Sequence, residues 1–405
     1  MPSALPDGEP APTSGALPSA ALAELGQRTF GVYVHVPFCA TRCGYCDFNT
    51  YTAAELGSAG STAAYVEAAL AEVRLARRVL GRGNLPVSTV FVGGGTPTLL
   101  PAEQLGRVLA AIDAEFGLAP GAEVTAEANP ESVDPAYLAE LRGRGFNRIS
   151  FGMQSARAHV LALLDRRHTP GRPARCVSWA RAAGFGAVSL DLIYGTPGES
   201  RGDWRATLEA ALAAEPDHIS AYALVVEDGT RLATRVRRGE LPPPDDDDLA
   251  DKYLLADDLL TASGYRWYEV SNWARPGAAC RHNLGYWRGT DWWGIGPGAH
   301  SHIGGTRWWN VKHPATYTAR LAQSSSPAAA REVLTTEDQR VERILLRLRL
   351  AEGLQLTELS EVGRKAAGQA LADGLLMRSA YADGLAVLTS PGRLLADAVV
   401  RDLVD

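Results

Sequence analysis

The chain has 405 residues, with 46% hydrophobic and 21% charged side chains and a formal net charge of −6. That is an ordinary globular composition with room for a large core and more than one domain, and no acidic or basic tail singles out a nucleic-acid or membrane-surface partner. No apolar run approaches the length of an integral membrane segment, and five cysteines, three of them in one short stretch, point to a reducing compartment rather than a disulfide framework.

Residues 1–28 are mostly Ala, Pro, Gly, Ser and Leu, with no basic residue before Arg28. They show neither the basic start and apolar run of a signal peptide nor the arginines of a transit peptide, so they are expected to form a disordered leader, and the protein to be cytoplasmic. From Thr29 to about Val226, short β-branched runs alternate with longer stretches of helical apolar period. Strands are predicted over 31–38, 87–93, 123–127, 148–153, 187–193 and 218–223, and helices over 63–80, 102–116, 135–144, 173–183 and 204–214. This alternation predicts an α/β fold with a parallel sheet wrapped by helices, a partial (β/α)6 TIM-like barrel spanning 29–226.

In such barrels ligands sit at the carboxyl ends of the strands, and here each strand ends in something chemically special. The first runs into Cys39-Ala-Thr-Arg-Cys43-Gly-Tyr-Cys46, and the second into Gly93-Gly94-Gly95-Thr96-Pro97. The third ends in Glu127-Ala-Asn129-Pro130 and the fourth in Met153-Gln154-Ser155. Asp191 and Tyr194-Gly195-Thr196-Pro197-Gly198 close the fifth, and Ser220-Ala221-Tyr222-Ala223 the sixth. Singly these are weak signals: three glycines make a tight turn and an aspartate caps a helix. Their shared position is the stronger argument.

Beyond 226 the texture changes. A Pro-Pro-Pro run and Asp245–Asp248 lead into a helix near Leu249, where the acids are expected to cap the helix rather than bind metal. Residues 227–330 form an α+β extension in which 264–310 holds seven of the nine tryptophans. Those aromatics either build the core of a mixed sheet or line a wide flat pocket suited to a porphyrin. Residues 331–405 form a small helical domain, with helices over 344–350, 361–372 and 391–404 and a hairpin across Asp383-Gly384. It is winged-helix-like, but its charges are mixed, so no nucleic-acid partner is expected.

Three thiolates in C-x₃-C-x₂-C spacing suit an iron–sulfur cluster with one iron left open, whereas structural zinc takes four closed ligands. A zinc knuckle that borrows His35, or three inert thiols, are the competing readings. The motif, with an aromatic before its last cysteine, resembles the signature of the radical SAM superfamily, in which the open iron of a [4Fe–4S] cluster takes the amino and carboxylate groups of S-adenosylmethionine (SAM). Each strand end has a use for that ligand. The glycines let backbone N–H groups approach a carboxylate. Glu127 can accept from a ribose hydroxyl or an ammonium, Gln154 and Asp191 can bond sugar or amine groups, and Arg166 can neutralise a carboxylate.

More narrowly, Tyr33-Val-His35-Val-Pro37-Phe-Cys39, the Gly-Gly-Gly-Thr-Pro-Thr98 turn and the Asp191–Gly195 strand resemble the oxygen-independent coproporphyrinogen III oxidase group. The resemblance implies that Cys39, Cys43 and Cys46 hold the cluster, and that Tyr33, Tyr45, Gly94, Gly95, Thr96, Glu127, Gln154, Arg166 and Asp191 contact SAM. Two features depart from the oxidase: Phe48 stands where it has a further cysteine, and the leader lacks its ordered extension. The His282-Asn283-x-x-Tyr286-Trp287 motif is instead similar to the heme-chaperone branch of the group, which implies heme as a ligand. His282 is then the first candidate for its iron, with Cys280 and His300 behind it. The reading is a cytoplasmic heme chaperone that serves heme-acceptor proteins and draws on an electron donor. The alternative is an oxygen-independent coproporphyrinogen III dehydrogenase that converts propionates to vinyls.

Overall fold

The computed structural model describes residues 8–57, 61–166 and 168–404. A thirteen-stranded sheet runs through it, with strands labelled in chain order β1 (Glu9–Pro10), β2 (Phe30–Val36), β3 (Val87–Gly94), β4 (Leu118–Ala128), β5 (Arg148–Gln154), β6 (Ala187–Tyr194), β7 (His218–Ala223), β8 (Arg266–Glu269), β9 (Asn272–Ala274), β10 (Asp291–Ile295), β11 (His300–Ile303), β12 (Thr306–Asn310) and β13 (Ala328–Val333). Their spatial order is β1-β13-β12-β11-β10-β2-β3-β4-β5-β6-β7-β9-β8. Strands β2 to β7 are parallel neighbours, and β10 adds a further parallel strand beside β2. The remaining pairings are antiparallel. Five helices, Thr62–Leu80, Ala102–Phe116, Pro135–Gly143, Arg172–Ala182 and Arg201–Ala213, connect the six parallel strands. All six strands and all five helices fall where the periodicity predicted them.

Parallel strands buried on both faces usually read as continuous apolar runs. These alternate instead. Val32, Val34, Val90, Val92, Val124, Ala126, Ile149, Phe151, Leu190, Leu192, Ile219 and Ala221 are buried in the main core. The opposite positions carry Tyr33, His35, Phe91, Glu123, Glu127, Arg148, Ser150, Asp191, His218, Ser220 and Tyr222. A strand's period of two sends these to the other face, so one side of the sheet is hydrocarbon and the other is polar. The polar side is where ligands can enter.

Residues 227–330 do not stand apart from this sheet. Strands β8 and β9 extend its β7 end, β10 to β12 extend its β2 end, and Trp273, Trp293 and Trp308 belong to the same core. The acids at 245–248 do cap a helix: the Asp245 side chain accepts from the Asp248 N–H at the start of Asp246–Ala262. Residues beyond about 334 have their own core around Ile344, Leu348, Leu354, Ala367, Leu388 and Val399.

Three expectations are corrected. The leader, read as disordered over 1–28, is folded from Gly8 onward; residues 1–7 lie outside the described residues. Glu9–Pro10 pairs with β13, Arg331 bonds Glu9, and Leu17, Leu22 and Leu25 pack on the main core. Low complexity hid three leucines and an edge strand. The C-terminal hairpin is also different: Leu354–Gln355 pairs with Leu385–Ala386, and Leu376 meets Leu388 in a single bridge around the helix Arg378–Ala382. The expected final helix breaks at Leu395 into Ser390–Leu394 and Ala396–Val404.

Candidate functional site

The cysteine loop leaves the carboxyl end of β2 and is closed by Phe38–Cys39 pairing with Tyr51–Thr52. Backbone bonds fix its path: Gly95 N–H donates to Val36 O (2.8 Å), Thr96 N–H to Phe38 O (2.7 Å) and Leu232 N–H to Gly44 O (2.8 Å). Tyr45 packs on the small apolar cluster of Leu164, Leu224 and Leu232. Cys39, Cys43 and Cys46 are half-buried free thiols. Burial raises the Cys39 thiol and pushes Cys46 up to about 11, so metal must displace protons to bind. His35 does not serve as a fourth zinc ligand. Its Nε2 lies 2.9 Å from the Asn49 carbonyl and must donate, which leaves Nδ1 to accept from Tyr33 Oη at 3.0 Å. Among the described residues no three His, Cys, Asp or Glu side chains stand close enough to share one metal ion, whereas a cluster ties each thiolate to a different iron. The donor set fits a cluster.

Around that loop the other strand ends converge. A Cβ at Gly95 would come 2.5 Å from Phe38 O and 3.1 Å from Cys39 Sγ, and Gly94 has φ +109, so only glycines form this turn against the thiols. Gly94 N–H donates to Glu127 Oε2 at 3.1 Å. Burial, reinforced by the Asp191 charge, pushes the Glu127 carboxyl up to about 8. Burial also raises Asp191, whose two oxygens lie 2.9 and 2.8 Å from Ser150 Oγ. Gln154 ends β5 in the left-handed region at φ +62, a strained placement typical of functional sites. Arg166 reaches back to the loop, with Nη2 2.8 Å from Gly152 O and Nη1 3.6 Å from Cys43 Sγ. The structure therefore gathers Tyr33, Tyr45, Gly94, Gly95, Thr96, Glu127, Gln154, Arg166 and Asp191 around one thiol loop.

These residues line an open chamber. Tyr33, Phe91, Glu127, Gly152 and Asp191 lie on central strands yet keep accessible surface on the polar side, and Tyr222 is 42% exposed. The opposite faces of the same strands are sealed.

The heme candidates fare differently. His282 is buried on the helix Arg281–Arg288, which lies against the polar face of the sheet. Its Nδ1 is 2.8 Å from Thr89 Oγ1, its Nε2 is 2.9 Å from Tyr286 Oη, and its ring stacks on Phe91. Burial lowers its pKa to about 3, so it is neutral. Both ring nitrogens are engaged, and His282 is arranged as a buried hydrogen-bonding side chain rather than an open iron ligand. Cys280 is also buried, its thiol 3.5 Å from Glu123 Oε1 and pushed up to about 12. His300 is half-buried, stacked on Trp309, with burial lowering it to about 4. Of the tryptophans in 264–310, Trp273, Trp293, Trp308 and Trp309 are buried as core packing requires, while Trp267, Trp287 and Trp292 keep part of their surface accessible.

Sequence reasoning missed Glu123 and Glu72. Glu123 Oε1 accepts from His282 N–H (3.0 Å) and Oε2 from Arg281 N–H (3.1 Å), capping the helix from 158 residues away. Its signal was the Glu123/Glu127 pair, four apart on one strand face. Glu72 collects Gly296 N–H, Asn310 Nδ2 and Tyr317 Oη, which pins the glycine-rich 294–298 turn beside the cysteine loop. Mid-helix, it gave no signal.

Residues 33–211 match the radical SAM superfamily profile, so that fold, thiol loop and profile together define a radical SAM domain, with the [4Fe–4S] cluster and SAM this implies. Among curated proteins, the heme chaperone HemW of Mycobacterium tuberculosis is 56% identical over 95% of this chain and 97% of its own length. HemW of Bacillus subtilis is 33% identical over 91% and 97%. Among solved structures, the fold is similar to that of coproporphyrinogen III oxidase (HemN) from Escherichia coli, with a TM-score of 0.81 at 24% identity over 95% of this chain and 92% of that one. The chain belongs to the HemW family.

Proposed function

We propose that the protein is a heme chaperone: it holds a [4Fe–4S] cluster on Cys39, Cys43 and Cys46, SAM in the adjoining chamber, and heme for delivery to acceptor proteins. The observation that carries this reading is the 56% identity, over nearly the whole of both chains, to a protein named as a heme chaperone. Bound there, a cluster would leave one iron for the amino and carboxylate groups of SAM and supply one-electron chemistry when an electron donor reduces it.

The chain's own residues account for the rest. Arg166 brings a guanidinium to Cys43 and offsets thiolate charge. The glycines of the 93–95 turn leave space beside Cys39 that a side chain would fill. Glu127 and Asp191 offer two carboxyl groups to hydroxyls or an ammonium, and Ser150 orients the second. Five free cysteines support the cytoplasm as the setting, and no helix among the described residues is long and apolar enough to cross a membrane.

The complete cradle favours one other reading, coproporphyrinogen III dehydrogenase. Phe48 argues against it: it is 58% exposed on the cluster loop, a surface apolar residue where the oxidase pattern has a thiol. Cluster-reconstituted protein, incubated anaerobically with SAM, reductant and coproporphyrinogen III, decides between them. No conversion is expected. Protoporphyrinogen formed over many turnovers would overturn the chaperone reading.

A further inference from the structure

We propose that Thr50 is a positioning residue of the cluster site: its buried hydroxyl donates to the sulfur of Cys39 once that sulfur binds iron, and so raises the potential at which the cluster takes up its electron. This rests on the cluster-binding reading above and names a residue that sets how readily the cluster is reduced.

Thr50 sits where the cysteine loop closes, just before Tyr51–Thr52 pairs with Phe38–Cys39, and is 1% exposed. Its backbone is fixed from both sides. The Thr50 N–H donates to Phe48 O (2.8 Å), its carbonyl accepts from Arg42, and the Tyr51 N–H donates to Pro37 O (2.7 Å). Yet Thr50 Oγ1 is buried with no hydrogen-bond partner among the described residues. A buried hydroxyl in that state is destabilising and calls for a reason.

Cys39 supplies one. The Thr50 and Thr96 hydroxyls both favour its thiolate over its thiol, while burial favours the thiol. A thiol is a weak acceptor, whereas an iron-bound thiolate carries the charge to which a hydroxyl donates well. The partner that Thr50 lacks is therefore the one a cluster brings. The other two sulfurs have donors of their own: Arg166 Nη1 lies 3.6 Å from Cys43 Sγ, and the Phe48 N–H favours the Cys46 thiolate. Thr96 already falls among the expected SAM contacts. Thr50 is the donor that an isosteric substitution removes without touching charge, backbone or the SAM chamber.

The redox couple is a single electron. A one-electron donor gives it, [4Fe–4S]2+ becomes [4Fe–4S]+, no proton moves, and the Thr50 O–H bond stays intact. The added negative charge falls partly on the sulfurs, where an O–H dipole stabilises the reduced state more than the oxidised one, so the potential rises.

The test is an EPR-monitored redox titration of the full chain, reconstituted anaerobically with cluster and without SAM, as wild type, Thr50→Val and Thr50→Ser. Valine keeps the shape and loses the hydroxyl; serine keeps the hydroxyl and loses the methyl. At the wild-type midpoint, the ratio of reduced to oxidised cluster in Thr50→Val should fall about tenfold, a shift of about 59 mV to lower potential for one electron. Thr50→Ser should stay near wild type. Cluster-free Thr50→Val should melt no lower than cluster-free wild type, because the hydroxyl it loses has no partner there. A Thr50→Val midpoint equal to that of wild type overturns the inference, even if this variant loads less iron, since the signal reports the loaded fraction alone. Equal shifts in both variants, or a lower melting point for cluster-free Thr50→Val, also overturn it, for Thr50 then acts through packing. If wild type binds no cluster, the cluster-binding reading fails and takes this inference with it.

Discussion

Glu127 sits where two carboxyl groups face one chamber, and its ionisation contributes to how the protein's stability responds to pH. Its folded pKa, about 8, lies above that of an unfolded glutamate. In the window between the two, the folded state binds the extra proton, so this contribution to stability is full below the unfolded value and is lost as pH rises through about 8. Glu127→Gln should therefore leave stability near wild type at pH 5 and raise it by roughly 1–3 kcal/mol at pH 9, measured by denaturant unfolding without cofactors. An equal difference at both pH values would remove Glu127 as the cause. Gly95→Ala tests the neighbouring contact. The added Cβ would press on Phe38 O and Cys39 Sγ, so iron incorporation should fall several-fold while far-UV dichroism is unchanged.

Residue-scale legibility was uneven for a physical reason. The cysteines, Glu127, Gln154 and Asp191 were singled out because each lies in the carboxyl half of a predicted strand or just beyond it, and strand positions follow from local period. His282 was singled out, but its role in the fold was not readable. That role depends on Thr89, 193 residues away, and on whether both ring nitrogens find partners.

Among the elements, the helix Arg281–Arg288 depends most on distant support. It has eight residues, no side-chain cap of its own at Cys280, and a first turn held by Glu123. A helix this short has little intrinsic stability in water. Removing the carboxylate with Glu123→Ala leaves the Arg281 and His282 N–H groups without it, at a cost of about 2–3 kcal/mol. The thermal midpoint should fall by several degrees, and hydrogen exchange should quicken in 281–288 before it does in the parallel strands. Uniform exchange would mean the cap is incidental. At this scale the parallel strands and their crossover helices were legible because each is strongly periodic. The C-terminal hairpin was not: Leu385–Ala386 pairs with Leu354–Gln355, a choice made by the second core rather than by the Asp-Gly turn.

For the molecule as a whole, the two cores meet through polar contacts. Arg393 spans them, bonding both oxygens of Asp257 and the Tyr253 hydroxyl and lying 4.5 Å over the Trp267 ring, and Arg288 pairs with Glu352. Arg393→Ala leaves the mostly buried Asp257 with the Trp273 indole N–H but without its counter-charge, so a loss of about 2–3 kcal/mol is expected. Early proteolysis within 334–404 would report it; resistance equal to wild type would assign the docking to other contacts. The leader makes the complementary point. Deleting residues 1–28 should lower the melting temperature, since it removes β1 from the edge of β13 and uncovers the surface under Leu17, Leu22 and Leu25. Composition alone could not show this, because an edge pairing depends on a partner more than three hundred residues away.

Carrying heme and passing it on is the activity proposed for this molecule. The most direct measurement is transfer: heme-loaded, cluster-containing protein mixed anaerobically with an apo-form heme acceptor, with and without dithionite, following the Soret band of each partner after separation. Heme leaving this protein for the acceptor, faster once reduced, is the result predicted. Heme that stays bound under both conditions, or a protein that never acquires a Soret band, would contradict it.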